Sequence, residues 1–351
     1  MGFKCGIVGL PNVGKSTLFN ALMKTVKAQS ENYPFCTIEP NTGIVAVPDE
    51  RLQKISSISK SEKTLPTSLE IVDIAGLVRG AHKGEGLGNK FLSHIRSVDA
   101  IIHVVRCFDD PNIIHVDDSV DPIRDIETIE TELMLADLES CERQKDSIMK
   151  KAKSGDKEAK ERLQLLEEAL AQLQNGQKAT NSSLDLITAK PVLFVCNSIE
   201  AQINEHVKRV QEYASKSSAP VIVLCAKTEA ELCALTEEEK QEFLEAIGLS
   251  QSGLDRVIQE GYKLLALITY FTSGPKETRA WTVQKHTKAP QAASKIHTDI
   301  ERGFIRAEVM SYEDFVAYNG ETGVKNAGKL RVEGKEYEVK DGDIIYFRFN
   351  V

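Results

Sequence analysis

No apolar run in this chain approaches the roughly 20 residues that carry a helix across a bilayer, which excludes a helical membrane protein. The glycine-rich segment at residues 9–16 begins too early for a secretion signal to precede it, and the expected location is cytoplasmic. Cys-x-x-Cys pairs are absent. The seven cysteines (Cys5, Cys36, Cys107, Cys141, Cys196, Cys225 and Cys233) are odd in number and scattered, which reads as buried thiols rather than a redox switch. Positive charge is not in excess either: a net charge of -8 rules out coating nucleic acid by bulk electrostatics and leaves that to a local basic patch. DNA is not an expected partner. What is present is ordinary for a globular chain, with 41% hydrophobic and 27% charged residues. At 351 residues the chain exceeds one ordinary core, so two or three domains are expected, in a monomer.

Gly9-Leu10-Pro11-Asn12-Val13-Gly14-Lys15-Ser16 is a phosphate-loop pattern in the required context, between a strand-like Phe3–Val8 and a helical pattern over Thr17–Leu22. Gly9 and Gly14 allow backbone N–H groups to curl around phosphate oxygens at a helix N-terminus. Lys15 supplies charge to the β- and γ-phosphates, and Ser16 offers a hydroxyl to Mg²⁺. Asn12, Val13, Gly14, Lys15, Ser16 and Thr17 are the expected contacts of this loop. Asp73-Ile74-Ala75-Gly76 closes the next core strand with an Asp-x-x-Gly pattern, which places a carboxylate near Mg²⁺ and the Gly76 N–H at the γ-phosphate. Thr37, within Tyr33–Pro40, reads as a second hydroxyl for the same ion, or else as a turn residue.

Two further absences are specific. A Gln after Asp-x-x-Gly orients the attacking water in Ras-like enzymes, but here the residue is Leu77, which can neither donate nor accept. His82, Lys83, Glu85 and His115 are the polar candidates for that work. Lys83–Asn89 is glycine-rich enough to be a switch that orders on the γ-phosphate. The second absence lies in the base-reading segment, Asn197-Ser198-Ile199-Glu200, which lacks the Lys and Asp of a guanine site. Adenine has no N1 hydrogen and no 2-amino group for such an Asp, whereas the Asn197 amide can serve N7 and N6. Loss of the Asp pair removes the preference for GTP, and retention of guanine by Glu200 is the alternative. Cys225-Ala226-Lys227 stands where a loop completes such base pockets.

Residues 1–123 and 189–279 alternate short apolar runs with helical or loop stretches, in the manner of a doubly wound α/β domain. Strands are expected at Leu69–Val72, Ala100–Cys107, Pro191–Cys196 and Val221–Cys225. Between these halves, residues 124–188 carry a four-three apolar repeat: Ile126, Ile129, Leu133 and Ala136, then Ala159, Leu163, Leu166, Leu170 and Leu173, broken at Ser154-Gly155-Asp156. This predicts an inserted antiparallel helical hairpin. Arg143, Lys145, Lys150, Lys151 and Lys153 near its tip read either as a phosphate contact or as a solvated face. Residues 280–351 read as a small β-rich module with one helix over Gln291–Arg302, His297 and Asp299 being structural, and a hairpin turn at Asp341-Gly342.

Together these pieces resemble the YchF subfamily of Obg-like P-loop ATPases over essentially the whole chain. The resemblance is carried by residues 9–16, by Asn32–Asn41, Asp73–Val78 and Lys83–Asn89, by Lys295–Asp299 and by the Asp-Gly-Asp at 341–343. It implies a P-loop NTPase G-domain with a mostly parallel sheet, a coiled-coil insertion and a C-terminal α+β TGS domain of β-grasp type. It also implies ATP in preference to GTP, Mg²⁺, stimulation by K⁺ through Asn12, and association with the ribosome and its subunits. His115, in Asn112-Ile113-Ile114-His115-Val116, matches the residue that would replace the missing Gln. The catalytic set implied is Lys15, Thr37, Gly76 and His115. Ser16, Thr37 and Asp73 would serve the metal, and residues 197–200 and 225–227 the base.

Overall fold

The computed structural model describes residues 3–30, 41–74, 87–115 and 119–350. Among these, one six-stranded sheet contains β1 (Lys4–Val8), β2 (Thr42–Ala46), β4 (Ser68–Asp73), β5 (Ala100–Arg106), β6 (Val192–Asn197) and β7 (Val221–Leu224) in the order β2-β4-β1-β5-β6-β7. All neighbours are parallel except β2 and β4. All seven residues of β5 are buried, as a central parallel strand covered on both faces requires. Along β6 the side chains alternate: Leu193 and Val195 face Leu254 and Val257, while Phe194 and Cys196 face Val207 and Val210. The covering helices are α1 (Lys15–Ser30), α3 (Leu87–Arg96), α4 (Pro122–Lys153), α6 (Glu205–Ser215), α7 (Ala226–Leu232), α8 (Glu237–Ala246) and α9 (Gly253–Leu264). β2, which is not among the expected strands, lies at the sheet edge with Val45 buried between half-buried Ile44 and Ala46.

α4 starts where Pro122 follows Asp121, whose carboxylate accepts the Ile123 and Arg124 N–H groups. It ends at Ser154. Gly155 (φ +100°) turns the chain, and Asp156 caps α5 (Lys157–Gln174). The expected apolar repeat forms the seam: Ala159, Leu166, Leu170 and Leu173 are buried and Leu163 half-buried. The root of α4 is not separate from the nucleotide sheet, because Ile129, Leu133 and Ala136 lie in the same core as β1 and β5.

The second sheet has the order β11-β10-β12-β8-β9-β3. It is built from β3 (Lys63–Leu65), β8 (Leu267–Ser273), β9 (Glu277–Gln284), β10 (Phe304–Met310), β11 (Arg331–Glu333) and β12 (Ile344–Phe349). β8 and β9 form an antiparallel hairpin, β12 runs parallel to β8, and β10 pairs antiparallel with β12 and β11, a β-grasp arrangement. Residue 280 falls inside β9, so the change in sequence character there does not coincide with a structural break. α2 (Glu50–Ser59) and β3 lie between β2 and β4 in the chain, yet Leu52 and Ile55 share a core with Phe271, Met310, Phe315 and Ile344. Arg51 fastens the two parts, donating to Asp49 and to Asp341 at 2.7 Å.

Two local expectations are corrected. Asp341-Gly342 does not join two paired strands, because β12 pairs with β10 and β8 while Glu338 makes an isolated bridge to Lys288. Gly342 (φ +87°) still makes the turn, and the Asp341 carboxylate accepts the Thr269 N–H and the Arg51 guanidinium. The helix predicted over Gln291–Arg302 is two helices, α10 (Ala289–Ser294) and α11 (Thr298–Arg302). His297 interrupts it as the cap of α11, accepting the Asp299 N–H. α12 (Tyr312–Ala317) and α13 (Glu321–Asn326) complete the module. Cys5, Cys107, Cys141 and Cys196 are buried, Cys225 and Cys233 half-buried, and Cys36 lies outside the described residues. The Cys107 thiol is held protonated by its contact with Cys196 and by burial.

Ile55 is fully buried, so Ile55→Ala is expected to cost about 2–5 kcal/mol. Amide exchange should accelerate in β8, β9 and β12 ahead of β1 and β5, because α2 belongs to the second core; the reverse order would contradict that placement. A second expectation concerns pH. Burial, with Lys178 nearby, holds His103 at about 3 against an ordinary 6.5. The folded state stays unprotonated while the unfolded chain takes up a proton, so stability is full above about pH 6.5 and declines toward pH 3, by up to about 1.4 kcal/mol per pH unit. His103→Gln should flatten that slope in urea denaturation compared at neutral pH and about pH 5.

Candidate nucleotide site

β1 ends at Val8 and α1 begins at Lys15, so residues 9–14 form the turn between them. No side chain fits at Gly9, where a Cβ would lie 2.7 Å from the Val104 carbonyl oxygen. Asn12 (φ +63°) and Gly14 (φ +96°) are left-handed, which bends the loop around the start of α1. A Cβ on Gly14 would sit 2.3 Å from Asn197 Nδ2. Val13 is buried, whereas Ser16 and Thr17 are exposed on the first turn of α1, where N–H groups without helical partners favour an anion. Lys15 is buried and forms an ion pair with Asp73 at the end of β4. The Asp73 N–H donates to the Asn41 carbonyl at 2.8 Å, which brings the start of β2 to the same place. Thr37, Gly76, Leu77, His82, Lys83 and Glu85 lie outside the described residues. Of the predicted glycine-rich switch, Leu87, Gly88 and Asn89 already belong to α3.

The base-reading residues meet the phosphate loop through one side chain. Asn197, at the end of β6 and 6% exposed, donates from Nδ2 to the Val13 carbonyl at 2.9 Å and accepts the Ala226 N–H at 2.9 Å. One hydrogen and one lone pair of the amide are thus committed to architecture, and one of each remains for a ligand. Ser198 is buried and its hydroxyl donates to the Gln202 carbonyl at 2.8 Å. Ile199 is 55% exposed. Glu200 is exposed and left-handed (φ +50°), with Gln202 Nε2 donating to its carboxylate at 2.9 Å. Cys225 precedes α7, Ala226 is buried and Lys227 exposed.

His115 is placed differently from its companions. The Ile114 carbonyl accepts from Asn12 Nδ2 at 3.1 Å, so the loop touches the phosphate loop, but the His115 ring is buried and turned to Asp125 on α4, at 2.9 Å.

Three supporting residues escaped the sequence reading. Arg106 is buried and donates to the carbonyls of Phe108, Asp110 and Ile113, holding the loop that carries His115. An arginine ending an otherwise apolar strand was its signal. Glu229 on α7 accepts the N–H groups of Gly253 and Leu254 and so fixes α7 to the start of α9; burial pushes its carboxyl above the usual range. Asn204 stands just ahead of α6, where an Asn before a helical pattern marks a cap. Glu229 also borders a cavity of about 720 Å³ between β2, α2 and α7 to α9, distinct from the phosphate loop. Among the described residues no group of three or more His, Cys, Asp or Glu is arranged to hold a metal. The oxygen donors near the phosphate loop, Ser16 and Asp73, suit an ion that keeps water and phosphate oxygens as its other ligands.

A family profile described as "50S ribosome-binding GTPase" matches residues 4–139, and the YchF-GTPase C-terminal profile, described as "Protein of unknown function (DUF933)", matches residues 267–350. The chain is 55% identical over 364 residues to the ribosome-binding ATPase YchF of Escherichia coli and 54% over 367 residues to that of Bacillus subtilis, with full coverage of both chains in each case. The solved "Structure of the Schizosaccharomyces pombe YchF GTPase" superposes with a TM-score of 0.89 at 40% identity, covering 99% of this chain and 98% of that one.

The contact between Gly14 and Asn197 yields a direct expectation. Gly14→Ala should push Asn197 off Val13 and weaken nucleotide binding by at least about tenfold, read by titration calorimetry; a parental affinity would contradict the close packing.

Proposed function

This chain belongs to the YchF family, and we propose on that footing that it is a ribosome-binding ATPase, a switch that hydrolyses ATP to ADP and phosphate. The names of its relatives divide between ATPase and GTPase, and the observation that carries the choice of ATP is the loop Asn197–Glu200. It has neither the lysine stem that lines a guanine nor the aspartate that accepts its N1 and N2 hydrogens. The remaining hydrogen and lone pair of Asn197 complement N7 and N6 of adenine.

The phosphate loop and Lys15 bind the phosphates, with Lys15 passing from Asp73 to the nucleotide. Magnesium usually accompanies such a nucleotide. Ser16 and Asp73 are its proposed protein ligands with Thr37, and when bound it offsets charge on the phosphates. Gly76 offers its N–H to the γ-phosphate. Asn12 is the proposed site of K⁺ stimulation: its amide nitrogen is engaged by Ile114, which leaves the amide oxygen for a cation. For His115 to orient the attacking water its bond to Asp125 has to open, so that role belongs to a rearranged state. Ser198, Ile199, Cys225, Ala226 and Lys227 frame the base.

The proposed division of the chain is a nucleotide domain, a helical arm from the outer part of α4 and α5, and a TGS-type module that takes in α2 and β3. At the arm's tip Arg143 pairs with Glu139 and Lys145 with Glu167, while Lys150, Lys151 and Lys153 are exposed and are the proposed contact with ribosomal RNA phosphate. The working location is the cytoplasm, beside the ribosome.

Titration calorimetry with ATP and GTP tests the reading: ATP is expected to bind tighter, and GTP binding much tighter would establish a GTPase of the same architecture instead. Lys15→Ala should lower turnover by about 10²–10³ and blunt the nucleotide dependence of ribosome pelleting. A folded variant that pellets normally in every nucleotide state would indicate a nucleotide-stabilised binding module.

A further inference from the structure

The base loop is held in an unfavourable backbone shape by its own Ser198 together with residues outside the base-reading segment. Glu200 (φ +50°) and Ala201 (φ +56°) are consecutive non-glycine residues in the left-handed region. Each would relax to a right-handed or extended shape in a free chain, so the surroundings must impose the conformation. The Ser198 hydroxyl donates to the Gln202 carbonyl at 2.8 Å and closes the turn across these two residues. Asn204 Nδ2 in turn donates to Ser198 Oγ at 3.4 Å and to the Cys107 carbonyl at 2.7 Å. Cys107 closes the circuit, because its N–H donates to the Asn197 carbonyl at 2.8 Å. The Asn204 side-chain oxygen meanwhile accepts the Val207 N–H at 3.0 Å and caps α6.

We infer that Asn204 is a positioning residue for base recognition, a clip that ties the end of β5 and the start of α6 to Ser198 and, through Cys107, to Asn197, and thereby holds the base loop in its reading posture. The inference rests on the assignment of Asn197–Glu200 as the base loop. Its two functions are separable by atom. The oxygen serves the helix cap, a structural task that any good cap residue performs. The nitrogen serves the loop, and an N–H₂ donor at this position is what aspartate and serine cannot supply in the same geometry. Loss of the donor frees the loop to relax, so the bound base meets an Asn197–Glu200 segment that is no longer fixed. Among the described residues, Lys15 and Gly14, at the phosphate end, have no hydrogen bond to Asn204.

The test is steady-state kinetics with ATP and with GTP on the full-length chain carrying Asn204→Asp, which keeps the cap and removes the donor, and Asn204→Ser as a second capping variant. Both remove the two bonds that Nδ2 donates and should raise KM for ATP about tenfold, within the range of one to two lost hydrogen bonds, while kcat falls by less than about twofold. The ATP-to-GTP ratio of kcat/KM should fall in parallel. Parental KM and parental selectivity in a folded capping variant would overturn the inference, as would a lowered melting temperature with KM unchanged, which would make Asn204 a helix cap only. Asn197→Ala, read by the ATP-to-GTP ratio as well as by KM, separates this from the underlying assignment. If it raises KM while the Asn204 variants do not, the base loop stands and the clip fails. If it too leaves KM and selectivity parental, the base-loop assignment falls and the inference with it.

Discussion

One side-chain amide joins the two halves of the nucleotide site. Asn197 reaches from the end of β6 to the Val13 carbonyl in the phosphate loop and receives the Ala226 N–H at the start of α7. It is buried, so an unmet polar group there would cost about 1–3 kcal/mol. The requirement propagates outward. Gly14 must be glycine because Asn197 occupies the space a Cβ would take, and Gly253 must approach closely because Glu229 on α7 fills that space in the same way. The phosphate-sensing and base-sensing loops are therefore one packed unit, and neither can shift without the other.

A second constraint binds this unit to the C-terminal module. β2 and β4 meet at Asn41 and Asp73 on the nucleotide side, and at their far ends the Val47 N–H donates to the Thr67 carbonyl. Between those ends the chain leaves the first sheet to place α2 and β3 in the second. β3 adds to β9, Ser61 bonds Thr278, and Arg51 spans Asp49 and Asp341 while lying over Phe271. An exposed ion pair alone contributes little. Here it accompanies buried Leu52 and Ile55, so the attachment is chiefly apolar and the ion pair sets its register.

Much of this was legible in the sequence because it follows from local physics. Apolar runs such as Ala100–Cys107 announced the central strands, here β5. The four-three spacing from Ile126 to Leu173 announced the hairpin, with Gly155 as its turn. What was not legible depended on distant partners. Nothing in Arg51 or Ile55 indicates that they answer to Asp341 and Phe271, so the segment 48–66 could not be assigned to the second module. Asp341-Gly342 carries a hairpin signature because its turn chemistry is that of a hairpin, but the strand it serves pairs elsewhere. His115 matched a motif, and motif matching says nothing about where a ring points; its bond to Asp125 is a tertiary fact. Asn204 caps α6, and its second task depends on carbonyl and hydroxyl groups delivered by β5 and the base loop, which no local pattern announces.

The base loop shows how replacing two residues rebuilds a site. Where a guanine reader extends a lysine along the base, this chain has Ser198, 1% exposed and bonded within the loop. That position has passed from ligand contact to framework. Where the reader buries an aspartate against N1 and N2, this chain presents Glu200 exposed, with Gln202 donating to it. Exposure sets the limit of discrimination. A buried acceptor left without its donor loses its hydration as well, and that loss is what separates ligands by about 10⁴–10⁵. An exposed carboxylate facing the wrong base stays hydrated, so its penalty is far smaller. On the proposed reading, preference between the purines comes from the loop as a whole, in which the buried amide of Asn197 keeps a free donor and acceptor that match the N7 and N6 edge of adenine and mismatch O6 of guanine at one of the two contacts. One mismatched hydrogen bond corresponds to roughly tenfold to a hundredfold, a graded preference for ATP rather than an absolute one.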